Sequence, residues 1–512
     1  MLSVAVARAS SRHRVRLCVS RTVLLAVLLL SLAPVQARAD GAAGRQYAQL
    51  IARLKQYRDG LQRSARRLSL EAALAIGVRE NPSLRKAYAA IQDGDWTLVA
   101  IQREWWPSLK VGNDDPGVFG WMTSRTNQRV RSSTGWTENL TLKSGQASVP
   151  NLNLNWTFFD PTRDSRDQVR RSEIAARRFL FLVDARDLIL QIQKGYYALQ
   201  EQYQLEQVLR DTDQQISRLA DSGLRPGQDP GQRDQLYTQR LGLLIRRINT
   251  HARVILAANA LAQDLSLPPG ELALPADDLE RRGRWDQPLK GSIDQALQLR
   301  EEIQVSLARA GGESWSARAR MRAYLPKLSL AGQLSSSSQT NTSGSLIGAF
   351  QSTTNVNQAI ETQLGLGFEW TIFDGGILAA DAAALRSRSR QSLAQADLDR
   401  LSVTRQVQDN HAELINSLIV LQAGSDQMAV ARQSFAAAGR AYLAGRGDAT
   451  RVVQASNAYL EACVSYLGSL RQHNSSIAAL YRYSAQWPEG MQLILSSAYP
   501  GLATAPRRPP AP

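Results

Sequence analysis

Few side chains in this 512-residue sequence could do covalent or metal chemistry, and none is grouped for it. The histidines are His13, His251, His411 and His473, scattered and never at metal-ligand spacing. The cysteines are Cys18 and Cys463. There is no phosphate-cradling P-loop, no G-x-S-x-G and no G-x-G-x-x-G after a strand. Gly365 and Gly367 are a fragment of the last, and strand alternation accounts for them. Cys463, between Ala462 and Val464 in a helical stretch, is expected to pack rather than react. The chain is therefore read as no enzyme, with no catalytic residue, metal ligand or cofactor. What recurs instead is an aromatic and acidic set. Trp156, Thr157, Phe159 and Asp160 match Trp370, Thr371, Phe373 and Asp374 at one constant offset.

The elements around those residues explain the repeat. In Leu364–Gly376 (LGLGFEWTIFDGG), Leu364, Leu366, Phe368 and Trp370 alternate with Gly365, Gly367, Glu369 and Thr371. Strand side chains alternate between faces, so the first set shares one side. In LNLNWTFFDPT, Leu152, Leu154 and Trp156 alternate with Asn153, Asn155 and Thr157. Asp160 and Asp374 then stand where a helix would be capped, Asp160 before Pro161. Each strand thus feeds a long helix. Arg163 to Ser222 carries Leu188, Ile192, Tyr196, Leu199 and Tyr203 at helical spacing. Ile377 to Ala444 continues likewise through Leu414, Leu418 and Leu421. At 1.5 Å per residue these helices would be roughly 90 and 100 Å long, too long for a globular core. Each ends at a glycine-marked turn, Gly223 with Gly227 and Gly445 with Gly447, and a helix returns from it, Gln232–Leu265 and Ala449–Tyr483. Each half therefore holds an αα-hairpin.

The ends and the charge narrow the class. A basic leader, the apolar stretch Val23–Val35 and Ala37-Arg38-Ala39 read as a secretory signal peptide over 1–39. It carries six arginines and no acid, so the formal charge of +16 falls to +10 without it. Cys463 is then the one cysteine left and cannot make an internal disulfide. Solvated basic helix faces account for the remaining charge, and no nucleic-acid partner is expected. No other window holds enough apolar residues for a membrane helix, which suits a periplasmic protein or a β-barrel whose strands escape hydropathy.

In order, the chain reads as a basic helical arm (40–67), a first repeat (68–285), a second repeat (286–490) and a disordered tail (491–512). Each repeat runs helix, aromatic-proline stop (Trp105-Trp106-Pro107; Tyr324-Leu325-Pro326), strand, loop, strand, long hairpin. The segments 112–146 and 335–358 are polar and read as long exposed loops. Each half thus offers two strands of ~10 residues or a little more, enough to cross a membrane. Four strands cannot close a barrel, and an open edge is forbidden in lipid. Two chains would share eight strands, three chains twelve. A four-stranded soluble sheet packed on helices is the competing reading.

Several motifs now resemble the TolC family of outer-membrane efflux proteins, from about Leu68 to Pro488. They are LSLEAALAI with Asn81-Pro82, WWPSL, YLPKLSL, NWTFFD, EWTIFDGG and GRGDATRVVQASNAYLEA. The resemblance implies an α+β membrane protein with internal duplication: a homotrimer whose chains give four strands each to a 12-stranded outer-membrane β-barrel, continuing into a long α-helical periplasmic barrel. It implies docking of a periplasmic adaptor protein and an inner-membrane transporter at the hairpin tips, and export of toxic compounds or proteins. It also implies a constriction on the returning helices. There the family's best-known sequence has two aspartates where this chain has Arg451 and Gln454. Asp234 and Gln235 open the corresponding segment of the first repeat. That departure replaces an acidic ring with a candidate Asp234–Arg451 latch. On the same reading Trp156, Phe159, Trp370 and Phe373 mark the inner membrane edge, and Asp160 and Asp374 the change from strand to helix. A periplasmic coiled-coil scaffold outside the membrane is the alternative.

Overall fold

The structure, a computed structural model, describes residues 65–112, 120–147, 151–222, 231–345 and 352–502. The expected leader, the arm up to residue 64, Gly223, Gly227 and the last ten residues lie outside these. The chain divides into two compact units, Met1–Tyr88 with Phe179–Ile303 and Asp397–Ala505, and Ala89–Arg178 with Gln304–Ala396 and Pro506–Pro512.

The first unit is helical. Its elements are β1 (Ala65–Leu68), α1 (Leu70–Glu80), the start of α2 (Pro82–Arg103), most of α3 (Arg163–Asp221), α4 (Gly231–Asp264), β6 (Leu272–Pro275), α5 (Leu289–Leu299), most of α7 (Ile377–Leu443), α8 (Ala449–Tyr483) and α9 (Met491–Ala498). Ser69 caps α1, its hydroxyl accepting from Ala72 N at 3.2 Å. Asn81 ends that helix; its Oδ1 accepts from Ser83 N at 2.9 Å and its Nδ2 donates to the Asp264 carbonyl at 3.0 Å. Proline is tolerated at the first position of α2 because no intrahelical donor is required there. The apolar spacing of α3 is buried as expected: Phe181, Ile192, Tyr196, Leu199 and Ile216 are all inaccessible, and so are Leu84, Leu236 and Leu265. The Tyr196 hydroxyl donates to the Leu68 carbonyl at 2.9 Å.

Two expectations fail in this unit. Residues 65–67, assigned to a helical arm, are extended in β1, which pairs in parallel with β6. Leu68 and Leu272 are buried there, and backbone pairing satisfies polar groups that burial takes from water. Residues 491–498, assigned to a disordered tail, form α9 with Met491 and Leu495 buried. Tyr499 is buried against Phe181 and Tyr88 at ring separations of 5.0 and 5.2 Å, and its hydroxyl donates to the Val78 carbonyl at 3.0 Å. The helical segment that opens at Leu289 is also broken, at Arg300, between α5 and α6 (Glu301–Arg322), with no proline to announce it.

Arg300 shows the cause of that break. Its side chain is buried, donating to both Glu302 carboxylate oxygens at 2.9 and 3.0 Å, to Gln406 Oε1 at 3.0 Å and to the Tyr483 carbonyl at 3.1 Å. Arg482 joins Glu302 to Asp187, both at 2.6 Å. Arg186 and Glu301 pair at 2.8 Å with side chains only 5% and 6% exposed. Arg186 also lies over the Trp487 ring at 3.9 Å. Burial raises the Glu302 carboxyl, but hydrogen bonds and charge from Arg300 and Arg482 outweigh it and hold it down at about 2.

The second unit is a sheet with helices. It contains β2 (Ser108–Gly112), β3 (Gly120–Ser132), β4 (Gly135–Ala147), β5 (Asn151–Phe159), β7 (Lys327–Ser345) and β8 (Ser352–Glu369), with the remaining parts of α2, α3, α6 and α7. Residues 112–146 were expected as a loop, yet β3 and β4 form a hairpin closed by the tight turn Ser133–Thr134. β3 is mostly polar on both faces and shows no hydropathy alternation, and in β4 the alternation is confined to Leu140 and Leu142 around Thr141. Likewise β7 and β8 run into the polar segment 335–358, pairing as far as Gly344 with Ser352.

A membrane-type sheet face and a glycine-bounded hairpin turn

All the strands of the second unit pair antiparallel. β7 is long enough to take two partners on one side: its residues 328–334 pair with β5 and 340–345 with β4. β2 pairs outside β5 and β3 outside β4. The six strands therefore lie in four tracks, β2/β3, β5/β4, β7 and β8. The expected four strands are four tracks, two of them built from two segments. Among the described residues, nothing pairs with the outer side of β8 or of the β2/β3 track.

Register decides what each face carries, because residues opposite one another point the same way. Leu109 pairs with Leu154, Leu154 with Gly332 and Gly332 with Leu364. Val111, Leu152 and Leu334 form a parallel row, and so do Trp156, Leu330 and Leu366. One face is thus apolar across all four tracks. On β8 it stays open to solvent, with Leu364 72%, Leu366 79% and Phe368 65% exposed. The reverse face carries Lys110, Asn153, Asn155, Ser329, Ala331, Gln333, Gly365 and Gly367, small or polar throughout. A soluble sheet packed on helices would cover the apolar face and leave the polar face open; here helices do not cover the leucines.

The strand-to-helix residues repeat one arrangement. The Trp156 indole N–H donates to the Trp105 carbonyl at 2.8 Å, and that of Trp370 to the Tyr324 carbonyl at 2.9 Å. Asp160 Oδ1 accepts from Thr162 N at 2.9 Å and its Oδ2 pairs with Arg166 at 2.9 Å. Asp374 Oδ1 accepts from the Tyr324 hydroxyl and from Gly376 N, both at 2.8 Å, and Oδ2 from Leu378 N at 2.7 Å. Each aspartate lies three residues before the first helical residue; Asp374 binds the N–H of Leu378, one that the helix start leaves open, and Asp160 that of Thr162, just ahead of the helix. The Leu378 N–H in particular holds the Asp374 carboxyl below its usual range. Burial opposes the same effect at Asp160, and the Thr162 and Arg166 contacts overcome it. Phe159 and Phe373 are exposed, beside the exposed Trp105, Trp106 and Trp370.

In the first unit, the second hairpin turns between α7 and α8. Gly445 has φ +73°, and its N–H and that of Arg446 bond back to the carbonyls of Tyr442 and Ala441 at 3.0 Å. Gly447 is needed for a different reason: a Cβ there would lie 2.9 Å from Tyr442 N. Asp448 caps α8 through Thr450 N at 3.2 Å. Asp234, Gln235, Arg451 and Gln454 are all exposed. Among the described residues Asp234 and Arg451 form no ion pair within the chain. The residue that reaches across is Gln235, accepting from the Thr450 hydroxyl at 3.1 Å, and Gln239 donates to Ser456 and Asn457 below it. The first hairpin's turn, with Gly223 and Gly227, lies outside the described residues.

His251 faces Glu206, His411 faces Ser292 and His473 faces Ser417. Among the described residues no three His, Cys, Asp or Glu side chains are placed to hold a metal. Cys463 is free and buried, and burial pushes its thiol up. No described helix is long and apolar enough to cross a membrane.

Comparison with known proteins follows the same line. Residues 292–486 match the family described as outer membrane efflux protein. Among solved structures, the Campylobacter jejuni CmeC outer membrane channel superposes with a TM-score of 0.62 at 13% identity, over 84% of this chain and 89% of that one. The outer membrane protein VceC of Vibrio cholerae gives 0.58 at 16% identity, over 81% and 96%. The open-state MtrE outer membrane channel of Neisseria gonorrhoeae gives 0.57 at 16%, over 81% and 89%. No curated protein matches in sequence. The apolar sheet face and the paired strand-to-helix junctions agree with these likenesses: residues 292–486 match the outer membrane efflux protein family, and the chain shares the fold of these outer-membrane channels.

Proposed function

We propose that the chain is one wall segment of an outer-membrane export duct. The observation that carries this reading is the apolar face that crosses four tracks of a sheet whose two outer edges have no partner among the described residues. Lipid tolerates a sheet only when its edges are closed, and four tracks are too few to close on themselves. Three copies, with twelve tracks, make a barrel of accepted size, and a homotrimer is therefore the assembly proposed. From Phe368 to Val356 the exposed face of β8 spans about 40 Å along the strand at ~3.4 Å per residue. At the ~40° tilt of membrane strands that is about 30 Å in height, close to the hydrocarbon thickness. Thr362 and Gln358 interrupt the face but do not end it.

On this reading the two strand-helix-hairpin repeats, 68–285 and 286–490, are duplicated halves of the chain. The long helices form a periplasmic conduit, and the turn at Gly445 and Gly447, with its counterpart at Gly223 and Gly227, meets an adaptor protein. An inner-membrane transporter supplies the energy, and the cargo is a small toxic compound or a protein. The chain does no covalent chemistry. Asp234, Gln235, Arg451 and Gln454 are the proposed constriction, with Gln235–Thr450 joining the returning helices of one chain.

The test is a matched pair of substitutions. Leu364→Arg places a cation on the apolar face, one same-face position from its middle at Thr362, where it costs about 2–4 kcal/mol near the bilayer midplane. Gln363→Arg places the same charge on the opposite face. The first should abolish membrane extraction of the chain and its heat-sensitive oligomer on gels, and the second should leave both intact. Equal behaviour of the two variants, or a wild-type chain that stays soluble without detergent, would remove the membrane reading and favour the scaffold.

A further inference from the structure

Beyond the leucines the apolar face changes character. β7 and β8 pair without a break in register from Lys327 with Glu369 to Gly344 with Ser352, so the face can be followed past its apolar part. Thr342, on the same side as Leu328 and Leu330, pairs with Leu142, and Leu142 pairs with Arg125. Arg125 therefore belongs to the face that carries Leu364, Leu366 and Phe368. Alternation puts Arg129 and Arg131 on that face too. Thr342 also pairs with Thr354, which sets Arg125 level with the position just past Val356, where the exposed apolar residues of β8 end. Arg129 and Arg131 lie further out along β3. All three are exposed. Arg131 rests near the Trp136 ring, 5.8 Å from guanidinium to centroid. In the register Glu138 pairs with Arg129. The other even-numbered residues of β7 and β8 in this zone are uncharged. Three arginines against one glutamate leave this rim with two net positive charges.

We infer that Arg125, Arg129 and Arg131 form a docking rim for phosphate-bearing lipid headgroups of the leaflet that meets the outer end of the sheet, a reading that rests on the proposed insertion of this sheet in a membrane. On β4 the face stays apolar through Leu142, which pairs with Arg125, and Leu140, one step further out, so Arg125 stands at the margin of the apolar band and Arg129 and Arg131 past it, at headgroup depth. Arginine's planar donor fork suits phosphate oxygens, and a tryptophan beside it suits the interface. A basic patch meant only for solubility has no reason to share the face of the leucines: Ser124, Thr126 and Gln128 occupy the opposite side of the same strand, without charge.

The full chain is reconstituted in phosphatidylcholine vesicles containing a minor fraction of phosphatidic acid and extracted in mild detergent. The ratio of the two lipids that copurify is then measured by mass spectrometry. The wild-type chain should be enriched in phosphatidic acid over the vesicle ratio, by about fivefold for each net positive charge of the rim. The triple change Arg125→Gln, Arg129→Gln, Arg131→Gln should abolish the enrichment, leaving the ratio at or below that of the vesicle, and the triple change to lysine should keep part of the enrichment. Lys110→Gln, which removes a cation from the opposite face, should change nothing. Enrichment that survives in the triple glutamine chain, or that Lys110→Gln removes as effectively, overturns the rim. Insertion in pure phosphatidylcholine separates the two layers of the argument. If the wild-type chain fails to insert there, the membrane reading falls and the rim with it. If wild type and variant insert equally but bind the two lipids alike, only the rim falls.

Discussion

Glu302 offers the most quantitative test of the helical unit. It receives hydrogen bonds from Arg300 and Arg482, and its side chain is 28% exposed. Its carboxyl lies at about 2 rather than the unperturbed 4.5. A tenfold change in proton affinity is worth about 1.4 kcal/mol, so the ionised form contributes about 3 kcal/mol to folding at neutral pH. The sign follows from the direction. A depressed carboxyl stabilises fully above its unfolded value, and that contribution is lost as pH falls from about 4.5 to about 2. Glu302→Gln keeps the volume and removes the charge. Arg482 would keep Asp187, and Arg300 would keep Gln406 and the Tyr483 carbonyl, so neither arginine is left without a partner. The midpoint of thermal helix loss, followed by circular dichroism, should drop by several degrees at pH 7. The gap between wild type and variant should close towards pH 2. Asp160 and Asp374 also titrate low, but they are common to both chains and cancel in the difference. A variant as stable as wild type at pH 7, or a gap that persists unchanged at low pH, would refute the assignment of this network as a net stabiliser.

The other predictions concern single positions. Asp374→Ala removes the acceptor of Gly376 N and Leu378 N and should loosen the start of α7. Hydrogen exchange in the first turn of α7 should accelerate, and unchanged protection there would mean the carboxylate does not cap. Gly445→Ala puts a side chain at φ +73° and should destabilise the α7–α8 turn by about 1–2 kcal/mol, read as faster proteolysis at that turn in the variant. Arg451→Asp should raise the cation selectivity of single-channel currents, and unchanged selectivity would take Arg451 out of the constriction.

Much of this organisation is legible in the residues themselves. Alternation in LGLGFEW and LNLNW announces two strands, and period-four leucines and isoleucines announce the long helices, because both signals are local and repeat over many residues. Gly445 and Gly447 mark a turn for reasons that side-chain geometry alone supplies. Asp160 and Asp374 announce helix starts because a short acidic side chain is the natural acceptor for open backbone donors. What tertiary structure alone decided is whatever depends on partners distant in sequence. The strand β3 carries no hydropathy signal and β4 only the short Leu140–Leu142 alternation; their pairing with each other and of β4 with β7 makes them strands. Residues 491–498 are short and local evidence is poor; burial of Tyr499 against Phe181 and Tyr88 holds them helical. Arg300, Arg482 and Arg186 look like surface charges until helices far apart in sequence bring Glu302, Asp187 and Glu301 to them. The side of the sheet on which Arg125, Arg129 and Arg131 stand was equally hidden. A strand's own pattern gives parity but not which parity faces lipid, and only an unbroken register through β4, β7 and β8 ties those arginines to the leucines.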